Sequence, residues 1–332
     1  MIFNSRWLRT FVWTGFAVLS AISIRFAPVI DSPIFWTLSM VFCLFNAYLE
    51  FLVSALFISP GKSKPSLKSP SWTSHYPTFD SKVTHIQLYH QNETAPFVVF
   101  IHGWRGSSVS VSQRAQWFID KGWHVAIIEL PGHGSSSPLP RWNAITASKH
   151  IQFHLKSLDS ILESRYVSHL FFYGHSMGGY ICTRISREPE IIPYQIPLNG
   201  LILESPLLLY SNIAHDIIKR LRIPKFIRPL HMKRVFRDVA AMHPDVDVLD
   251  GLKQFDIPLW GVPSVPTLCL QAMNDKHLGR DHYNAAVSEF TDKIPFTHHL
   301  IESLSHSGAR KNEQREALLL EWLEEFDSLL LK

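Results

Sequence analysis

Cysteine, charge and metal-binding motifs are all scarce in this chain. Three cysteines, Cys43, Cys182 and Cys269, are too few for a disulfide framework. Cys182 and Cys269 fall in apolar surroundings and read as small core residues, which suits a reducing compartment. There are 18 histidines but no His-Glu-x-x-His and no Cys-x-x-Cys, so the sequence offers no metal site and calls for no cofactor. The net charge of +4 comes without any nucleic-acid-binding motif, which excludes that partner class. Charged residues make up only 18% against 46% hydrophobic, an apolar balance for a purely soluble protein.

Long hydrophobic runs account for that balance. Phe11 to Ile24 is apolar throughout, and Ile34 to Ile58 is interrupted only by Asn46 and Glu50. About 20 apolar residues span a hydrocarbon core, so residues 1–58 read as a membrane anchor of two transmembrane helices. The hydrophilic turn Asp31-Ser-Pro33 between them makes the pair a hairpin. Arg6 and Arg9 precede the first run, and Lys62, Lys64 and Lys68 follow the second. By the positive-inside rule both ends, and the domain that follows, face the cytoplasm. Two other readings stay open: a cleaved signal peptide at the start, or a buried helical cap on a soluble protein. Glu50 lies in the last third of its run, where it would approach the interface rather than the bilayer centre. Residues 59–82 then turn to Ser, Pro and Lys, a composition expected of a semi-extended linker.

From residue 83 to 332 apolar strand-like runs alternate with helical stretches, which specifies a mostly parallel, doubly wound α/β sheet. Pro96 to Ile101, Trp123 to Leu130, Leu170 to Tyr173, Leu198 to Leu203, Val265 to Ala272 and Thr297 to Glu302 are the strands. The third of these is the focus. It runs into Gly174-His-Ser-Met-Gly178 and then a helical segment, and glycines at both ends allow one sharp strand-to-helix turn. The apex residue, Ser176, is forced into an unfavourable backbone conformation that points its side chain outward.

The pentapeptide with its flanking elements resembles the nucleophile elbow of serine α/β-hydrolases, in particular the monoacylglycerol-lipase and lysophospholipase-like branch. The resemblance covers about Thr84 to Lys332. It implies that Ser176 is the nucleophile, that Asp275 in the loop after Val265–Ala272 is the triad acid, and that His306 is the general base. Asp281 and Glu204 are rival acids, whereas His298 and His299 lie inside a strand and read as packing or surface residues. The chain order Ser176, Asp275, His306 is the one this fold uses. The loop His102-Gly103-Trp104-Arg105-Gly106 resembles the family's oxyanion loop, and the donors implied are the backbone amides of Trp104 and Met177. Pro131-Gly-His133-Gly-x-Ser resembles a structural turn of the family, with Glu129 standing where Asp is common.

The family inserts a cap at about residues 207–263. Here Lys219 to Arg237 holds eight Lys or Arg residues and no Asp or Glu, interleaved with apolar side chains. One reading is a solvated basic face; the other is an amphipathic lid lying on an anionic membrane. The expected activity is hydrolysis of lipid-like carboxylic esters. A soluble-substrate carboxylesterase, thioesterase or peptidase is the alternative within enzymes, and a non-catalytic, membrane-tethered scaffold is the alternative outside them.

Overall fold

The computed structural model describes residues 7–26, 33–60, 64–194, 196–243, 251–257, 261–307 and 311–330. In chain order the helices are α1 (Leu8–Phe26), α2 (Pro33–Leu56), α3 (Ser108–Ile119), α4 (Ala144–Leu155), the single turn α5 (Leu158–Ile161), α6 (Met177–Ile185), α7 (Tyr210–Arg220), α8 (Arg228–Met242), α9 (Asp281–Phe290) and α10 (Glu313–Leu330). The strands are β1 (Thr73–His75), β2 (Thr78–Phe79), β3 (Lys82–Val83), β4 (Ile86–Tyr89), β5 (Ala95–Ile101), β6 (His124–Ile128), β7 (Val167–His175), β8 (Leu198–Glu204), β9 (Thr267–Ala272) and β10 (Phe296–Ile301). The chain divides into two compact units, one of Met1–Ile58, Pro140–Trp142 and Asn212–Leu252, the other of Ser59–Leu139, Asn143–Ser211 and Lys253–Lys332.

The larger unit is built on an eight-stranded sheet in the order β1-β4-β6-β5-β7-β8-β9-β10. β1 and β4 are antiparallel additions at one edge, and β5 to β10 pair in parallel. The central strands are near-continuous apolar runs because helices cover both faces of a parallel sheet. Phe97 to Ile101 and Val125 to Ile128 are fully buried. One core layer gathers Phe100, Phe118, Tyr173, Ile202, Leu270 and Trp322. Phe100 stacks on Tyr173 at 4.6 Å between ring centroids, and Phe118 meets Phe100 edge-on, the offset geometries that ring quadrupoles favour.

Part of the segment expected to be a linker is instead woven into this unit. Thr73–His75 pairs with Leu88–Ile86, and Trp72 joins the core. The Pro65 carbonyl accepts from Ser107 Oγ, the Leu67 amide donates to Ser108 Oγ, and Ser66 Oγ donates to Glu129. A Ser/Pro-rich stretch cannot make a core of its own, but it still has backbone groups for a sheet edge and one large ring to bury. Residues 61–63 lie outside the described set.

The smaller unit is helical. α1 and α2 form an antiparallel pair, with Ser20 Oγ 3.1 Å from Ser39 Oγ across it. The last turns of α2 are buried by the cap: Leu49 and Leu52 pack with Ile218, Ile223 and Ile227, and α8 contacts α2 directly. The hairpin turn, residues 27–32, and part of the expected cap, residues 244–250 and 258–260, lie outside the described set. Glu50, in the last third of α2, is enclosed by protein, and only 3% of its surface is exposed. Arg234 Nε donates to Oε1 at 3.1 Å, and Arg237 Nη2 lies 3.0 Å from Oε2. Arg9 lies 3.6 Å from the same carboxylate and donates to Asp238 at 2.7 Å. Two of the eight cap cations therefore neutralise the hairpin's own acid.

Candidate active site

Close approach of three chain segments makes the elbow. A Cβ on Gly178 would collide with the carbonyl oxygen of Ile101 at the end of β5, and one on Gly174 with the backbone of Gly179. Only glycine lets β7 and α6 meet this closely. Ser176, the N-cap of α6, has φ 54°, a left-handed conformation that strains a residue with a Cβ. Its backbone is over-determined. The amide donates to Glu204 O at 3.1 Å, and the carbonyl accepts from Gly179 and Leu207 at 2.9 Å each.

The side chains converge at the carboxyl ends of β7, β9 and β10, where doubly wound sheets place their sites. Ser176 Oγ lies 3.0 Å from His306 Nε2, and His306 Nδ1 lies 2.7 Å from Asp275 Oδ2. These partners assign the tautomer: Nδ1–H donates to the carboxylate, leaving Nε2 to accept the serine proton. Burial alone would raise the Asp275 pKa. The hydrogen bond from His306 and the amides of Leu278 and His277 outweigh that and hold it well below the usual carboxylate range. Gln271 Nε2 donates to Asp275 Oδ2 at 3.0 Å and fixes the carboxylate from behind.

The two rival acids stand elsewhere. Asp281 opens α9 and is exposed. Glu204 ends β8, where its fully buried carboxylate is engaged by Arg114, by Tyr173 Oη and by Arg315. Burial opposes ionisation of Glu204, but the two guanidinium groups override it and push the pKa well down. His298 lies in β10 against Tyr283 Oη, at 2.7 Å.

Of the two expected oxyanion donors, Met177 is the first residue of α6, so its amide has no partner within the helix. Trp104 sits in the loop after β5, whose Gly103 packs against the Cβ of Ser176. Two buried imidazoles shape that loop. His133 Nε2 accepts from the amide of Arg105, a residue held at φ 59°, while Nδ1–H donates to Pro131 O. His102 Nδ1–H donates to Gly103 O at 2.8 Å, and its Nε2 accepts from Leu130 N–H at 3.1 Å. Both must be neutral to accept on Nε2. Burial lowers both pKa values, that of His133 to about 3.

A family model described as serine aminopeptidase, S33, matches residues 92–250, a span that includes Ser176 and stops before Asp275 and His306. Among solved structures the chain is similar to an esterase from Pyrococcus furiosus, with TM-score 0.60 and 12% identity over 81% of this chain and 97% of that one. The two match over almost all of the esterase. The chain has the α/β-hydrolase fold. Est1E from Butyrivibrio proteoclasticus shares this hydrolase fold at TM-score 0.50 and 15% identity, covering 77% of this chain and 99% of its own. A protein of unknown function from Agrobacterium tumefaciens does so at TM-score 0.52 and 13% identity, covering 76% and 95%. At these identities the likeness speaks for the fold alone. No curated protein matches the chain.

Several residues that shape this hydrolase site carry no sequence signal. Arg114 and Arg315 lie 90 and 111 positions from the carboxylate they bind. Glu129 gathers Ser108 N–H and Oγ, Ser135 N–H, Ser66 Oγ and His85 Nδ1. That cluster locks the start of α3, directly after the loop that carries Trp104, to the turn after β6. Burial works against ionisation of Glu129, but the His85 and Ser108 hydrogen bonds bring its pKa to about 2.

Proposed function

We propose that this protein is a membrane-anchored serine hydrolase that cleaves carboxylic esters of lipid-like substrates, such as a monoacylglycerol or lysophospholipid. The observation that carries the reading is the relay from Ser176 Oγ to His306 at 3.0 Å and on to Asp275 at 2.7 Å. His306 takes the hydroxyl proton as Ser176 attacks the ester carbonyl, and Asp275 steadies the imidazolium that forms. The amides of Trp104 and Met177 receive the oxyanion; one such donor contributes about 2.7–4 kcal/mol in comparable sites. His306 then protonates the leaving alcohol, and water repeats the sequence to release the acid.

The anchor reading rests on the hairpin. Pro33–Leu56 is the one helix among the described residues that is long and apolar enough to cross a membrane. Phe11, Phe16, Ile34, Phe35, Leu38 and Phe42 are all more than half exposed, a surface too apolar for water. Lipid is the solvent that suits it. The basic flanks put the hydrolase unit on the cytoplasmic side.

The description of the matching family model favours one second reading, a peptidase that releases N-terminal residues. Fluorophosphonate labelling of the protein and of Ser176→Ala, followed by turnover of monoacylglycerols, short soluble esters and aminoacyl arylamides, separates the readings. Labelling lost in the variant together with a preference for long acyl chains supports the lipid esterase. Faster arylamide turnover moves the assignment to peptidase, and well-folded protein that neither labels nor turns over any substrate is a scaffold.

A further inference from the structure

The smaller unit marks its own depth in a bilayer. On α2 the exposed apolar side chains continue as far as Tyr48 and Phe51, and beyond them Leu52 and Val53 are buried by protein. Trp7 packs on Phe51 with ring centroids 5.5 Å apart, beside Arg9 and Glu50. Aromatic rings next to the first charges are what a membrane protein shows at headgroup level. The connection between α7 and α8 is pinned at this same level, because Ile223 and Ile227 are buried on Leu49 and Leu52.

With those isoleucines turned inward, the residues between and around them point away. Phe226 is 80% exposed, the highest value of any large apolar side chain described, and Leu221 and Leu230 are exposed beside it. The structure also sorts the eight basic residues. Arg234 and Arg237 are taken by Asn46 and Glu50, Arg228 Nε donates to Ile223 O, and Lys219 faces Asp216 at 3.4 Å. Arg220, Arg222, Lys225 and Lys233 are exposed and have no carboxylate partner among the described residues. Four exposed cations lie within seven residues of this exposed phenylalanine in the chain, at headgroup level. In solution this is a poor surface; against lipid phosphates and the acyl boundary both halves of it are satisfied.

We propose that the α7–α8 connection is a second membrane contact, in which Phe226 enters the interface and Arg220, Arg222, Lys225 and Lys233 bind the phosphates of anionic lipid. This rests on the membrane-anchored reading above and adds to it a lipid preference. The hairpin would sit in any bilayer; this surface would settle only on an anionic one.

Full-length protein with Phe226→Cys carries an environment-sensitive NBD label at that position, since the native cysteines are buried. It is reconstituted into phosphatidylcholine vesicles with and without phosphatidylglycerol. NBD emission should rise about twofold with phosphatidylglycerol and fade with added salt, as headgroup attraction is screened over about 8 Å at physiological ionic strength. The charge-neutral set Arg220→Gln, Arg222→Gln, Lys225→Gln should abolish the rise. Equal emission in both lipids, or a rise that survives the three substitutions, overturns the proposal. Vesicle flotation keeps the two ideas apart. Protein that floats with both lipids yet shows no probe response loses only this contact, whereas protein that floats with neither loses the anchor as well. The salt titration of otherwise unmutated, labelled protein reads the same charge dependence without the triple variant, and emission that ignores salt overturns the proposal too.

Discussion

The Nε2–H of His175 donates to the main-chain carbonyl of His306 at 2.6 Å, so the residue beside Ser176 also holds the loop that carries His306. Burial first, and then the nearby Arg114, lower the His175 pKa to about 3, which keeps the ring neutral across the working range. The turn at Ser176 thus fixes the serine and, through its neighbour, the distance from Ser176 to His306.

His175→Phe preserves a buried ring and removes the donor. The variant should fold with a melting temperature close to that of the parent, while kcat falls about tenfold at unchanged KM, as expected for an apolar swap that frees a loop by one hydrogen bond. An unchanged kcat would mean that His306 is held without this bond.

Gly178→Ala should not give a stable hydrolase unit, because the new methyl group would overlap the Ile101 carbonyl where backbone faces backbone. Neither chain can yield without parting β5 from α6, so the loss should exceed the usual range of roughly 0.5–3 kcal/mol for a point substitution. Soluble yield and circular dichroism report it, and a well-folded variant melting like the parent would refute the packing described.

Acid should unfold the hydrolase unit in two stages. His133, His175 and His282 are neutral in the folded chain, with pKa values lowered mainly by burial to about 3, 3 and 4. The unfolded chain binds their protons below its ordinary value of about 6.5 and the folded chain does not, so stability declines as pH falls from there. Glu129 has the opposite chemistry and the same sign. Its folded pKa of about 2 against an ordinary 4.5 gives stability that is complete above 4.5 and lost as pH falls toward 2. By the same linkage that contribution is at most roughly 3 kcal/mol. Glu129→Gln should lower the neutral-pH melting temperature and flatten its pH dependence below 4.5. Parallel curves for parent and variant would count against the ionised Glu129 cluster.

Glu50→Ala leaves Arg234 with no carboxylate among the described residues, and Arg9 and Arg237 with Asp238 alone. The guanidinium groups left behind keep access to solvent, so the loss stays below the roughly 3–5 kcal/mol of a fully buried pair, and limited proteolysis in detergent should cut the cap segment 212–252 faster than in the parent. Replacing Glu50, Arg234 and Arg237 together with leucine should recover most of the protection. Parent-like proteolysis of Glu50→Ala alone would show that the network does not hold the cap.

Much of the fold is written locally. β5, β7, β8, β9 and β10 follow apolar runs bounded by Gly, Pro or Asn, and the elbow is visible because its glycines, serine and flanking elements sit within a dozen residues. The relation of Ser176 to Asp275 and His306 is readable only through the likeness to known hydrolases, since nothing within either loop distinguishes its acid or its histidine. What stayed hidden depends on partners far apart in the chain. Glu129 looks like a conservative change of a turn residue until Ser66, His85, Ser108 and Ser135 arrive around it. The segment before β4 looks like a linker because composition counts what a stretch can bury on its own, not the sheet edge it can complete. The basic run 219–237 reads as one patch because a charge count carries no direction; the geometry of α8 on α2 divides it.

The enclosure of Glu50 has a consequence in time. Arg237 stands 187 residues downstream of it, and a ribosome moving at roughly 5–20 residues per second needs about 10–40 s to cover that distance. For that interval the hairpin has left the exit tunnel with a carboxylate whose main counter-charges do not yet exist. On the membrane-anchored reading proposed above, the nascent hairpin holds this acid at the water boundary until the cap is synthesised, and the completed cap then closes over it. On that reading the hairpin enters the bilayer before translation has supplied the charges that enclose its glutamate.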